Sequence, residues 1–197
     1  MGDLYTGKDV EAIERMSSLT ESLSFKSRFV LLFGEIDHAT ARIACERLIA
    51  LAQDSDGPIT MLISSPGGHV ESGDAIHDLI RFVRAPVTTV GTGWVASAGT
   101  HVFLAAPKER RVCLPNTRFM IHQPSGGAGG QSTDIAIQAK EILRTRERIA
   151  RVIAAETGTA LERVRQDMER DYWMSAGEAI EYGIVSRIVE RHTDLSH

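Results

Sequence analysis

Apolar positions along this chain follow two periods that take turns. FVLLFGEI from Phe29, ITMLISS from Ile59 and VTTVG from Val87 are short apolar runs of strand length. Between them the spacing becomes helical. HATARIACERLIALAQ sets Ala41, Ala44, Cys45, Leu48 and Ala52 on one face, and Ile76, Leu79, Ile80 and Val83 recur at i, i+3, i+4, i+7. Turn chemistry separates the segments: Asp-Ser-Asp-Gly-Pro precedes the second run and Ala85-Pro86 the third. Strands alternating with helices predict βαβ units, a largely parallel sheet and the α/β class.

The second half changes character. RRVCLP and RFMIHQ predict short strands, followed by the glycine-rich PSGGAGGQST. Asp134 to about Glu156 predicts a long helix with Ile135, Ala139, Ile142, Ile149 and Ile153 on its apolar side. Thr159-x-x-Glu162 and Ser175-x-x-Glu178 both have the form of capping boxes opening short helices, with Gly183 closing the second. GIVSRIVE predicts a last strand. The expected organisation is a polar, partly flexible N-terminal segment over 1–27, one domain over 28–190 and a tail over 191–197. A chain of 197 residues suffices for one such domain with its own core.

Composition narrows the function classes. A net charge of −4, with no basic run carrying interleaved aromatics, gives no footprint for nucleic acid or anionic membranes. The first residues lack the apolar core of a signal peptide, and no run approaches a membrane span, so a cytoplasmic protein is expected. Cys45 and Cys113 sit in apolar patterns and are expected as small buried hydrophobes. Walker, H-E-x-x-H and paired C-x-x-C patterns are all missing, so no metal site is expected.

Chemistry concentrates in VGTGWVASAGT, Val90 to Thr100. Gly91-x-Gly93-x-x-Ala96 fits the dinucleotide fingerprint loosely, but strands precede it and no acidic residue ends the next one. Ser97 has two readings: a helix cap, or a nucleophile needing a base and a third group to orient that base. G-x-S-x-G is not satisfied, since Val95 stands where glycine is required, which argues against an α/β-hydrolase. Ser65-Pro66-Gly67-Gly68, between a strand and a helix, would bring free backbone N–H groups close to a ligand. His122 ends a strand at a proline and is the leading base candidate, with His69 a rival. His38, His77 and His101 lie on predicted helices without a partner motif. Asp171 is the candidate third member, and spacing alone does not bring it to His122.

Taken together, GWVASAG, ISSPGG, RFMIHQP and ERDYWMSAGEAIEYGIV resemble the Clp protease proteolytic subunit family in order and approximate spacing, from about Arg28 to Val189. QSTDIAIQAKEILRTRERI resembles that family's long handle helix. The resemblance implies a spiral of ββα units shared with crotonases, with a protruding handle helix. It implies Ser97 as nucleophile, His122 as general base, Asp171 as the orienting acid, and the Gly68 and Ala98 amides as the oxyanion hole. Substrate would lie against Gly67, His69, Val70, Pro124, Ser125, Gly126 and Gly127. The implied function is a serine endopeptidase acting on unfolded polypeptides inside two stacked heptameric rings. No cofactor is expected in this subunit; ATP would be used by a separate AAA+ unfoldase, and a paralogous ring subunit is the other expected partner.

The family usually has Gln-Ala where this chain has Trp94-Val95, and methionine where it has Ala98. Trp94 would then pack in the core or narrow a substrate pocket. LTESLSFKSR stands where the family carries its axial pore segment, so that segment is not carried over. Three alternatives stay open beside this reading. They are a crotonase-type acyl-CoA enzyme, a Ser–Lys peptidase using Lys140, and a non-catalytic ring subunit dependent on a partner.

Overall fold

Alternation in FVLLF decides which way its side chains point. Val30 and Leu32 are fully buried, while Leu31 and Phe33 face outward. The computed structural model, which describes residues 7–125 and 129–195, makes this segment β1 (Phe29–Phe33). Helix α1 (Gly7–Lys26) precedes it. There follow α2 (His38–Asp54), β2 (Ile59–Ser65), α3 (Val70–Phe82), β3 (Val87–Ala96) and α4 (Ala98–Phe103). The second half comprises β4 (Arg111–Cys113), β5 (Arg118–Ile121), α5 (Ser132–Thr157), α6 (Leu161–Asp167), β6 (Tyr172–Ser175), α7 (Ala176–Tyr182) and β7 (Arg187–Ile188).

The sheet runs β1-β2-β3-β4-β7 with all neighbours parallel. Strand β3 has a second partner. Its first half pairs with β4 through Thr89 to Gly91, and its second half pairs with β5 through Trp94 to Ala96. The switch occurs where the register with β2 jumps from Ile63↔Gly91 to Ser65↔Val95. Gly93 sits at φ +60 within that irregularity. At Gly91 a Cβ would press on Phe119 and Thr117, at 3.0 and 3.1 Å. The two glycines of VGTGWVASAGT therefore serve a bent strand, and the strand runs five positions beyond Gly91, where VTTVG ends, to Ala96.

Helices α2, α3 and α4 cover one face of the sheet and share its main core, built from Leu32, Leu48, Met61, Ile63, Ile76, Phe103 and Phe119 among others. A smaller cluster of Val90, Val112 and Val189 lies apart from it, with Leu195 packed alongside. The Arg28 guanidinium ties the start of β1 to the α2–β2 connection by donating to the carbonyls of Leu51, Ser55, Gly57 and Pro58. Cys113 is buried and its thiol is pushed up to about 11 by burial; Cys45 is half-buried.

Several expectations are corrected. Thr159 does not cap α6: the N-cap is Ala160, and the Thr159 hydroxyl donates to the Tyr182 carbonyl instead. The Ser175–Glu178 capping box is present, and Gly183 closes α7 in the left-handed conformation. The last strand is cut to Arg187–Ile188. DYWMS, with no strand expected, forms β6 antiparallel to β5. Trp94 does not pack in the core, and it is not among the residues lining the cavity beside Ser97. It is 46% exposed and stacks on Trp173 at 6.5 Å, with the Arg118 guanidinium 4.4 Å from the Trp173 ring centre.

The C-terminal end of α5 is fixed to the sheet by charge. Arg111 on β4 is 1% exposed, and its Nη2 donates to the Glu156 carbonyl and to Oε2 at 3.0 and 3.2 Å. Removing one partner of such a pair strands the other charge away from water. Glu156→Ala is expected to destabilise the fold by about 3 kcal/mol in urea unfolding.

Candidate functional site

Ser97 sits at the turn between β3 and α4, in a conformation that side-chain-bearing residues rarely adopt: φ 56, ψ −121. It holds the N-cap position of α4, yet its side chain makes no cap hydrogen bond. The hydroxyl is thereby left for another partner. So although G-x-S-x-G is missing, the chain builds a sharp strand-to-helix turn with the serine at its apex. The turn is pinned from below, where Ser97 N–H donates to the Met120 carbonyl and the Thr100 hydroxyl reaches both Val95 and Met120 carbonyls.

His122 Nε2 lies 2.8 Å from Ser97 Oγ, and His122 Nδ1 lies 3.0 Å from Asp171 Oδ1. A carboxylate only accepts, so the Nδ1 proton faces Asp171 and Nε2 is left to accept from the serine hydroxyl. The pairing follows from the β5–β6 ladder. Ile121 is opposite Tyr172 and Met120 opposite Trp173, so the next residues out of each strand, His122 and Asp171, meet across its end. That ladder is what the sequence spacing lacked.

Ser65-Pro66-Gly67-Gly68 approaches the same turn from β2. Gly67 adopts φ +97, and a Cβ there would lie 2.6 Å from the Ser97 Cβ. Gly68 adopts φ +146, and a Cβ would overlap the Ile36 carbonyl. Both glycines are therefore required by close approach. Among the described residues, neither Gly68 N–H nor Ala98 N–H donates to a backbone carbonyl.

A small cavity of about 30 Å³ opens beside Ser97 and His122. Val70, Ala98, His101, Ile121, Pro124, Ile149 and Ile153 complete its lining. Val70 and Pro124 are thus brought to the site. His69 is not: it caps α3, its Nδ1 accepting from Ser72 N–H, and its ring lies 4.4 Å from that of His38. Ser125 is exposed, and Gly126 and Gly127 lie outside the described residues. Lys140 lines a separate groove between α3 and α5 and is not among the residues around the Ser97 cavity.

The sequence reading passed over a charged group beneath this cavity. Asp74 on α3 accepts from both terminal nitrogens of Arg148 on α5, at 2.8 and 2.6 Å. Its Oδ1 also lies 2.9 Å from His101 Nε2 on α4. His77 stacks on His101 with ring centres 4.4 Å apart. Both histidines, read as lacking partners, are in fact buried together. Burial alone would raise the Asp74 carboxyl, but His101 and Arg148 outweigh it and hold the group well below its ordinary 3.8.

The model of the Clp protease family matches residues 11–192 of the chain. The chain belongs to the Clp protease family. Among its curated relatives is ATP-dependent Clp protease proteolytic subunit 3 of Rhizobium johnstonii, 53% identical over 176 residues, 89% of this chain and 91% of that protein. Proteolytic subunit 2 of Gluconobacter oxydans is also 53% identical, over 95% of this chain and 85% of its own length. Among solved structures, ClpP1 from Listeria monocytogenes superposes with a TM-score of 0.82 at 49% identity, over 90% of this chain and 99% of that one. The fold is that of the Clp protease family, and the matches favour neither an acyl-CoA enzyme nor a non-catalytic subunit. No helix among the described residues is long and apolar enough to cross a membrane.

A depressed carboxyl contributes stability that is present above its unfolded value and lost as pH falls towards the folded one. For Asp74 that window opens below about pH 4. Asp74→Asn is therefore expected to melt several degrees below wild type at pH 6. The gap should narrow as both proteins are scanned downwards from pH 4 by calorimetry.

Proposed function

We propose that this Clp protease family chain is a serine-type peptidase in which Ser97, His122 and Asp171 carry the chemistry. The observation that supports it best is the unbroken run of contacts from Asp171 Oδ1 through the imidazole to Ser97 Oγ, at 3.0 and 2.8 Å. His122 Nε2 takes the hydroxyl proton as Oγ attacks the carbonyl of a peptide bond, and Asp171 steadies the imidazolium that forms. The Gly68 and Ala98 amides, free of other backbone acceptors, receive the negative charge that develops on the carbonyl oxygen. His122 then gives its proton to the departing amine. The acyl group left on Ser97 is released by water, which His122 activates in the same way.

Substrate is an unfolded polypeptide with its backbone along Gly67 to Val70 on one side and Pro124 and Ser125 on the other. The side chain on the acyl side of the cleaved bond enters the cavity lined by Val70, Ile121, Ile149 and Ile153. Consistent with relatives named as subunits of an ATP-dependent protease, the chain works as a homo-oligomer of two stacked heptameric rings in the cytoplasm. ATP is consumed by a separate AAA+ unfoldase, and this subunit needs no cofactor of its own.

A fluorophosphonate is expected to label Ser97 covalently, read by peptide mass mapping, and Ser97→Ala to abolish labelling. Peptide hydrolysis by Ser97→Ala should fall about a million-fold from wild type. Wild type cleaving no faster than that variant would overturn the reading.

A further inference from the structure

One titratable group on the wall of the Ser97 cavity takes no part in the proton transfer. His101, one turn along α4 from Ser97, is 5% exposed and lines the cavity among aliphatic side chains. Its Nε2 is 2.9 Å from Asp74 Oδ1, close enough to pair but out of line for a good hydrogen bond, and its Nδ1 has no partner among the described residues. His77 covers one face of the ring, with 10° between the planes. Arg148 grips both oxygens of Asp74, so the carboxylate cannot swing away. In the tautomer that puts its proton on Nε2, towards the Asp74 acceptor, the imidazole leaves Nδ1 as a buried lone pair. Buried polar atoms are nearly always partnered, and each exception calls for an explanation.

The cavity supplies one. Its small volume, about 30 Å³, favours a short side chain over a long one. Apart from Ser97 and His122, the residues around it are aliphatic except His101. We propose that His101 is a specificity-determining residue. Its imidazole selects, on the acyl side of the cleaved bond, short side chains with a hydrogen-bond donor (asparagine, serine or threonine) over longer aliphatic or aromatic ones. A donor that satisfies the orphan nitrogen gains what an alkyl group forfeits, and sites of this kind reject the analogue that lacks the donor. The inference rests on the serine-peptidase reading above.

The test uses the full-length protein and quenched peptides differing only at the residue before the cleaved bond: Asn, Thr, Leu or Phe. Wild type is expected to favour Asn and Thr over Leu by about tenfold in kcat/KM. His101→Phe, which keeps ring size and the stack on His77, should reverse the order. Asp74→Asn removes the charge that fixes the imidazole proton and should shrink the preference to about two- or threefold. If His101→Phe melts early or fails to fold by circular dichroism, Asp74→Asn carries the comparison alone. A role confined to holding the helices together would lower all the substrates alike and leave their ratios untouched, which overturns the proposal. Wild type that labels at Ser97 yet prefers Leu or Phe also overturns it, with the peptidase reading intact. Wild type that neither labels nor cleaves removes the peptidase reading, and this inference with it.

Discussion

Everything in the site depends on β3 changing partners partway along its length. Had β3 continued beside β4 alone, Ser97 would end next to the turn after Cys113, far from any base. The register jump against β2 between Ile63 and Ser65 bends the strand, and its last residues join β5 at Trp94↔Arg118 to Ala96↔Met120. The amide of Ser97 then closes on the Met120 carbonyl, two residues short of His122. Strand β6 on the far side of β5 brings Asp171 to the same end. Three strands thus deliver three side chains to one point, and glycine at 91 and 93 is what lets the first of them bend.

How far this was legible from sequence depends on the range of the cause. Periodicity located β1, β2, α2, α3 and α5, because burial of one face imprints a local repeat. Residue type and turn chemistry singled out Ser97, Gly67, Gly68, His122 and Asp171, and the structure brings all five to one place. Their mutual geometry was not legible. It comes from the β5–β6 register, and Tyr172–Ser175, four residues between two helices, is too short to announce itself as a strand. Thr159 shows the opposite failure. It has the local form of a cap, but a tertiary acceptor, the Tyr182 carbonyl, takes its hydroxyl.

The Asp74 group was hidden for another reason. Asp74, His101 and Arg148 come from three helices, and each is unremarkable on its own helix face. The neighbours of Arg148 on α5, Arg144 and Arg151, make only local ion pairs. Only packing shows that Arg148 alone of these reaches across to α3. Exposed pairs within one helix contribute a few tenths of a kcal/mol. A bidentate pair on a half-buried carboxylate that also faces an imidazole is a stronger constraint on where α5 can sit. Because Ile149 and Ile153 follow on the same helix, it also governs the wall of the cavity.

Ser97 shows how such constraints combine into a site. A β-carbon at φ 56 is unfavourable by about 1 kcal/mol or more, and the turn would relax if anything allowed it to. Nothing around it does. Its amide is held by Met120, its carbonyl accepts from His101 N–H, and Thr100 locks the first turn of α4 to both strands. Gly67 leaves room that any other residue would fill with a Cβ 2.6 Å from its own. The helix that begins at Ala98 therefore cannot rotate to let the serine cap it, and the hydroxyl is held towards His122 instead. His101, whose amide takes part in this lock, is also the residue whose ring meets Asp74 and the cavity. The same turn of helix thus fixes where the bond is attacked and shapes what can lie beside it.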